Sequence, residues 1–305
     1  MKNYFIINPV AGCGKAIEVV EKQIEIVSEE CKENNEFIII HTHHQGDATE
    51  ICKEICEDNI NETVNIFACG GDGTCFEVLN GIIGYNNVRF GMLPVGSCND
   101  FLKTFEGYDF IDIEKQLSGN TIDVDTIKVN GEYIINVVNF GFDARANDDQ
   151  LKLRSRYKSV KKAYNMALFK NILSPKLGDK VVVKVEGKNV FEGKLLLAAA
   201  ANARFYGGGY KCAPLAEVND GLIDLILVKK VSIFTFARLV KYYKAGEHLK
   251  NKKFEKYVIY CKGKNIEIIA KNDLTSSFDG EVRHDTNYNI KISKHKIKFI
   301  LPSTN

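Results

Sequence analysis

The chain of 305 residues contains only five prolines, no Ser/Gly-rich tract and no internal repeat, so short connections are expected in place of a long linker. No stretch approaches 18 uninterrupted apolar residues, which excludes a membrane-spanning helix as an expectation. The nine cysteines are odd in number and follow no repeated CxxC spacing. That argues against a disulfide framework or a zinc finger and for a reduced, intracellular compartment. Cys52 and Cys56 stand one helical turn apart downstream of His41, His43 and His44, but the cluster straddles a strand end and a helix and does not make a converging metal site. Met1-Lys2-Asn3-Tyr4 leads straight into a strand pattern and not into a signal peptide.

What is present fits a globular protein of two domains: hydrophobic residues make up 45% and charged residues 26%, over a length that exceeds one ordinary core. The net charge of +2 hides an uneven distribution. Between Leu151 and Lys180 nine Lys/Arg face a single acid, Asp179. Such a stretch reads either as a solvated helix face or as a contact for an anionic partner such as lipid headgroups or phosphates.

The first 120 residues alternate buried-strand runs (Tyr4 to Asn8, Phe37 to His41, Val64 to Cys69, Phe90 to Leu93) with helical patterns. Ile17, Val20, Ile24, Val27 and Cys31 form one apolar stripe on the first of these helices. The alternation predicts an α/β domain, a doubly wound parallel sheet with ligands at the carboxyl ends of its strands. Beyond Asn120 strand patterns dominate, from Ile122 to Asn130 through Tyr288 to Ser293, with helical interruptions at about 151–173 and 232–246. This half reads as an antiparallel β-sandwich or barrel. The expected division is 1–122, rejoined by 296–305, and 123–295.

At the end of the third strand lies Gly70-Gly71-Asp72-Gly73-Thr74. Glycines there let the backbone approach an anion and aim N–H groups at it, and the helix that follows adds its positive end. Thr74 with Glu77 reads as a capping box fixing the helix start. Asn8-Pro9-Val10-Ala11-Gly12-Cys13-Gly14-Lys15 occupies the end of the first strand; Pro9 and Ala16 break the Walker A pattern, which leaves a phosphate-side loop with Lys15 as an electrostatic contact. After the fourth strand, Ser97 and Asp100 form a second cap-like pair. Asp220-Gly221 with Asp224, and Phe278-Asp279-Gly280-Glu281, read singly as turns, the latter with a carboxylate where a general base could stand.

Taken together these motifs resemble the diacylglycerol kinase catalytic-domain superfamily, which also includes sphingosine and ceramide kinases, and within it the soluble bacterial lipid kinases. Asn8-Pro9 with Gly12, Gly70 to Thr74, Pro94 with Gly96 to Phe101, Asn139 to Ala144, Tyr206 to Gly209 with Pro214, Asp220 to Asp224 and Asp279 to Glu281 follow the family's order. The resemblance implies ATP held by the Asn8 to Gly12 loop, Thr42, Gly70 to Thr74 and Ser97, where the family's usual Thr is replaced, with Asn99 and Asp100 beside it. It implies Asp72 and Asp123 in a water-linked carboxylate and magnesium network, with Asp125 standing where a glycine is usual. It further implies a structural magnesium on Asp220 and the carbonyls of Glu217 and Leu222, oxygen donors that suit a hard cation. Glu281 would be the base that takes the proton from a lipid hydroxyl. Arg156, Lys158 and Lys161 are all candidates for a further basic residue.

The expected activity is transfer of the γ-phosphate of ATP to a lipid hydroxyl, diacylglycerol giving phosphatidate, at the cytoplasmic face of the inner membrane. The basic stretch would support docking on an anionic surface. No nucleic-acid partner is expected, and a homodimer is left open. The GGDGT turn is shared with NAD and sugar-phosphate kinases, which makes a small-molecule kinase the first alternative, and a catalytically silent nucleotide- or lipid-binding regulator the second.

Overall fold

The computed structural model describes residues 1–96, 99–153, 166–167, 170–171 and 178–304. The expected helix over 151–173, with Arg156, Lys158 and Lys161, lies mostly outside them, as does Ser97. The chain divides into two compact units, Met1–Thr126 with Ser293–Asn305, and Ile127–Ile292.

In the first unit the strands β1 (Lys2–Ile7), β2 (Glu36–His41), β3 (Val64–Cys69) and β4 (Val88–Leu93) are parallel, in the order β2-β1-β3-β4. The apolar runs of β1, β3 and β4 are buried on both faces, as helices covering a parallel sheet require, whereas β2 is a half-buried edge strand with Ile39 exposed. The last strand, β15 (Ile297–Leu301), adds parallel to β4, and β5 (Asn120–Val124) closes the edge antiparallel to β15. The sheet therefore runs without interruption through residue 122. Ile7, His41, Cys69 and Leu93 end the four strands in one row, so the loops that follow share one edge.

The expected single first helix is two helices, Ala16–Glu25 and Glu29–Asn34. Ser28 interrupts it by capping the second: its hydroxyl accepts from Cys31 N at 3.4 Å and donates to Glu114 Oε1 at 2.6 Å, while its own N–H donates to Glu114 Oε2. The expected strand over 122–130 likewise divides, its second part being β6 (Ile127–Val129) of the second unit.

The second unit is an antiparallel assembly of β6, β7 (Glu132–Ile134), β8 (Val137–Gly141), β9 (Asp179–Val185), β10 (Lys188–Ala201), β11 (Ile223–Lys229), β12 (Val258–Gly263), β13 (Asn265–Phe278) and β14 (Glu281–Ile292). Two long strands hold it together. β10 pairs with β9 over its first half and with β8 over its second, and β13 does the same. Register shifts sit where they change partner, the device that bends one hydrogen-bonded sheet into packed layers. Helix Ile233–Ala245 covers one side; Ser232 caps it by accepting from Thr235 N, and Gly246 at φ 74° ends it.

Candidate active site

The parallel unit builds its part of the site from backbone. Gly96 N–H donates to Gly70 O at 2.9 Å, which brings the loops after β3 and β4 into contact. A Cβ on Gly96 would stand 2.3 Å from Gly71 Cα, so no other residue fits. Gly12 adopts φ +60°, and a Cβ there would meet Val95 O at 2.5 Å. Asn8 N–H donates to Cys69 O, and Thr42 N–H donates to Ile7 O, continuing the strand row into the loops. Asn8, Gly12, Thr42, Gly70, Gly71 and Gly96 thus lie along one sheet edge at the start of helix Asp72–Ile82, where backbone N–H groups and the helix dipole favour an anion.

The capping-box expectation is corrected. The helix starts at Asp72 with Gly71 as its N-cap and no side-chain cap, which puts Gly73 and Thr74 inside its first turn. The Thr74 hydroxyl accepts from Asn8 Nδ2 at 3.4 Å, and Glu77 Oε1 accepts from Gly46 N–H at 2.9 Å, tying this helix to Asp47–Asp58. Asp100 is no side-chain cap either: its carboxylate pairs with Lys103 at 2.5 Å, and its N–H donates to Asp72 Oδ1 at 3.2 Å. Asn99 takes φ 49° and donates to Gly96 O. Pro9 starts a turn in which Asn8 Oδ1 accepts from Val10 N, and Lys15 is exposed.

Asp123 is not brought to Asp72 within this unit. It lies opposite Lys298, which pairs with Arg89, whereas the glycine loops begin beyond Leu93. That places the Asp123 backbone about 13 Å short of the row of strand ends and three strand spacings, about 14 Å, from β3. Asp123 instead lines a polar recess with Tyr85, Lys294 and Lys298 near the opposite edge. The neighbouring Asp125 is buried and ion-paired with Lys296 at 2.9 Å.

The second unit builds with side chains. Asp279 and Gly280, at φ 46° and 101°, form the two-residue turn between β13 and β14 that delivers Glu281. Asp279 is buried, and its carboxylate accepts from the N–H groups of Ile135 at 2.9 Å, Asn136 at 3.2 Å and Val137 at 2.8 Å. Burial pushes its pKa up to about 7, against the pull of those three donors. Asn147 Nδ2 donates to Gly280 O at 2.7 Å, so both turn residues are held. Glu281 lies 4.0 Å from Arg283, which is itself paired with Glu132 at 2.6 Å.

A second polar pair sits in an apolar cavity of about 260 Å³. Gly141, at φ +87° and packed on Leu196 O, turns β8 sharply into helix Phe142–Leu153 and sets Asp143 on the cavity wall. Tyr206 donates its hydroxyl to Asp143. Desolvation pushes Asp143 up to about 6 and Tyr206 well above the usual phenol range. Leu197, Val228, Phe236 and Leu239 are among the apolar side chains of the wall. The motifs Asn139 to Ala144 and Tyr206 to Gly209 contain Asp143 and Tyr206 but assign them no role from sequence. A carboxylate flanked by Phe142 and Ala144 was the available signal.

The expected magnesium ligands are also in this unit, at the turn before β11. Asp220 Oδ1 accepts from Leu222 N–H at 3.0 Å, and Oδ2 is ion-paired with Lys262 at 2.8 Å. Glu217 is exposed. The expected donors are oxygens, but an ammonium already lies against the one carboxylate among them, so this set does not fit a divalent cation. No cluster of three or more metal-ligating side chains occurs among the described residues, the Cys52 and His41 region included.

The chain combines a parallel α/β unit with an antiparallel sandwich-like unit, and comparison with known proteins gives it a family. Residues 2–129 match the diacylglycerol kinase catalytic domain, and residues 136–301 match the YegS C-terminal NAD kinase beta sandwich-like domain. A diacylglycerol kinase of Bacillus subtilis is 29% identical over 283 residues, covering 90% of this chain and 88% of the relative. One of Staphylococcus epidermidis is 32% identical over 246 residues, covering 79% and 74%. The chain belongs to the diacylglycerol kinase family of lipid kinases. A diacylglycerol kinase structure from Bacillus anthracis has the same fold, with a TM-score of 0.71 at 23% identity over 98% of this chain and 96% of that one. A yeast NADH kinase structure is more distant, with a TM-score of 0.54 at 11% identity over 100% and 84%. No helix among the described residues is long and apolar enough to cross a membrane.

Proposed function

We propose that this protein transfers the γ-phosphate of ATP to a hydroxyl of a membrane lipid, with diacylglycerol as the leading acceptor and phosphatidate as product. The observation that carries this reading is the 260 Å³ apolar cavity beside Asp143 and Tyr206. A hydrocarbon chain is the ligand such a wall selects, since each buried methylene contributes about 0.8 kcal/mol. A dinucleotide acceptor has no use for it.

On this reading the Asn8 to Gly12 loop, Thr42, Gly70 to Thr74, Gly96, Ser97 and Asn99 receive the nucleotide phosphates, and Lys15 offers charge from the rim. Asp72, with Asp100 tied to it, stands at the helix start to hold the magnesium that accompanies ATP. When bound, that ion supplies charge neutralisation to the transferring phosphoryl group. Glu281 takes the proton from the acceptor hydroxyl, and Asp279 positions it by fixing the turn. Asp123, placed at the opposite edge of its sheet, is given no step. The basic stretch from Leu151 to Lys180 supports transient docking on anionic lipid, at the cytoplasmic membrane face.

The test is transfer of labelled phosphate from ATP and magnesium to a panel of lipids in mixed micelles, run beside NAD and sugar-phosphate acceptors. Label in diacylglycerol is the expected result. Label only in a soluble acceptor would overturn the lipid reading, and bound ATP with no transfer to any acceptor would leave a regulator.

A further inference from the structure

The turn before β11 carries an internal cation. Asp224 on β11 and Lys262 on β12 are directly opposed in the antiparallel register, so the lysine stem runs across the sheet toward the turn. Its ammonium lies 2.8 Å from Asp220 Oδ2, 3.3 Å from Asp224 Oδ2 and 3.4 Å from the carbonyl oxygen of Leu215. Asp224 is 1% exposed and also accepts from the Tyr260 hydroxyl at 2.7 Å. Asp220 Oδ1 is engaged by Leu222 N–H. Two carboxylates and a carbonyl thus converge on one tethered ammonium. Asp220, the one carboxylate of the expected magnesium set, is among them, so the hard oxygen donor a divalent ion would need is already satisfied by a charge the chain supplies.

We propose that Lys262 is a covalently tethered replacement for a structural divalent cation at this turn, so that the second unit folds and holds the Asp220–Asp224 segment without magnesium. Magnesium that arrives with ATP would act in the other unit, so the cation at this turn is independent of catalysis. A buried carboxylate left without its cation is strongly destabilising, which gives the lysine a measurable role. A divalent ion on Asp220 and the ammonium would repel each other across that carboxylate, so one excludes the other.

The experiment is thermal unfolding of the full chain without nucleotide, in EDTA and in millimolar magnesium, for the native protein and for Lys262→Met and Lys262→Arg. The native protein is expected to melt at the same temperature in both buffers. Lys262→Met should melt about 5–10 °C lower in EDTA and recover part of that loss with magnesium, while Lys262→Arg stays near the native value. Manganese binding followed by electron paramagnetic resonance serves if Lys262→Met does not fold: the native chain should show no tight site without nucleotide. A native melting temperature that falls in EDTA and returns with magnesium would overturn the proposal, as would a tight manganese site in the native chain or a Lys262→Met variant that melts like the native protein.

Discussion

The two units make their functional surfaces from different materials. The parallel unit uses backbone: Gly70, Gly71 and Gly96 bring two loops together, and Gly12 folds a third against Val95. The antiparallel unit uses carboxylates withdrawn from solvent, each with its own set of partners: half-buried Asp143 with Tyr206, buried Asp224 with Lys262 and Tyr260, and buried Asp279 with three N–H donors. A backbone cradle binds one shape of anion and tolerates no added atoms. Side-chain clamps can be retuned one residue at a time, and this is where acceptor choice and proton handling are expected to reside.

That contrast can be broken most sharply at Glu281. Glu281→Gln should lower turnover by about two to four orders of magnitude while leaving ATP affinity within about twofold, measured by calorimetry on the same sample. A matching loss of ATP affinity would mean that the two surfaces are not separable. Gly96→Ala should do the reverse, since its methyl collides with Gly71: a loss of about 2–3 kcal/mol of stability in chemical unfolding, together with nucleotide binding. Wild-type affinity in that variant would show that the loop contact is dispensable.

Asp279→Asn should cost about 1–3 kcal/mol, because an amide N–H₂ faces backbone donors where an acceptor stood, and kcat should fall with KM for ATP unchanged. The smallest effect belongs to Asp143. Its folded-state pKa of about 6 lies above the ordinary aspartate value, so the folded protein holds the proton more tightly. Its contribution is therefore fully present below about pH 4, declines as pH rises to about 6, and is absent above that. Melting curves of the native protein and Asp143→Asn should diverge over that window, in favour of the variant at the higher pH; parallel curves would contradict the assigned environment.

The sequence made the parallel unit largely readable, because β1 to β4 are short apolar runs and their loops carry glycines whose spacing is local. Helix Ile233–Ala245 was readable for the same reason, with Ser232 and Gly246 marking its ends. The antiparallel unit was half legible. The second half of β13 and the first half of β14, around Asn272 and Arg283 to Thr286, are too polar to display strand periodicity; the hairpin closed at Asp279-Gly280 and the pairing of β13 with β8 impose it. Asp279, Tyr206 and Lys262 acquire their roles from partners 144, 63 and 42 residues away, which no local pattern encodes. Thr74 and Glu77 had the right spacing for a cap, yet Gly71 took that position and freed both side chains for other loops. Asp123 followed the motif order, but strand direction carried it to the opposite edge.

The most direct test of the lipid-kinase account is kcat/KM for diacylglycerols of increasing acyl length, in the native protein and in Leu239→Trp, which fills the cavity. The account predicts a rise of up to about fourfold per methylene until the cavity is full, and a flattened series in the variant. A series that is flat in the native protein, or identical in the two, would contradict the assignment of this cavity to the acceptor's hydrocarbon chain.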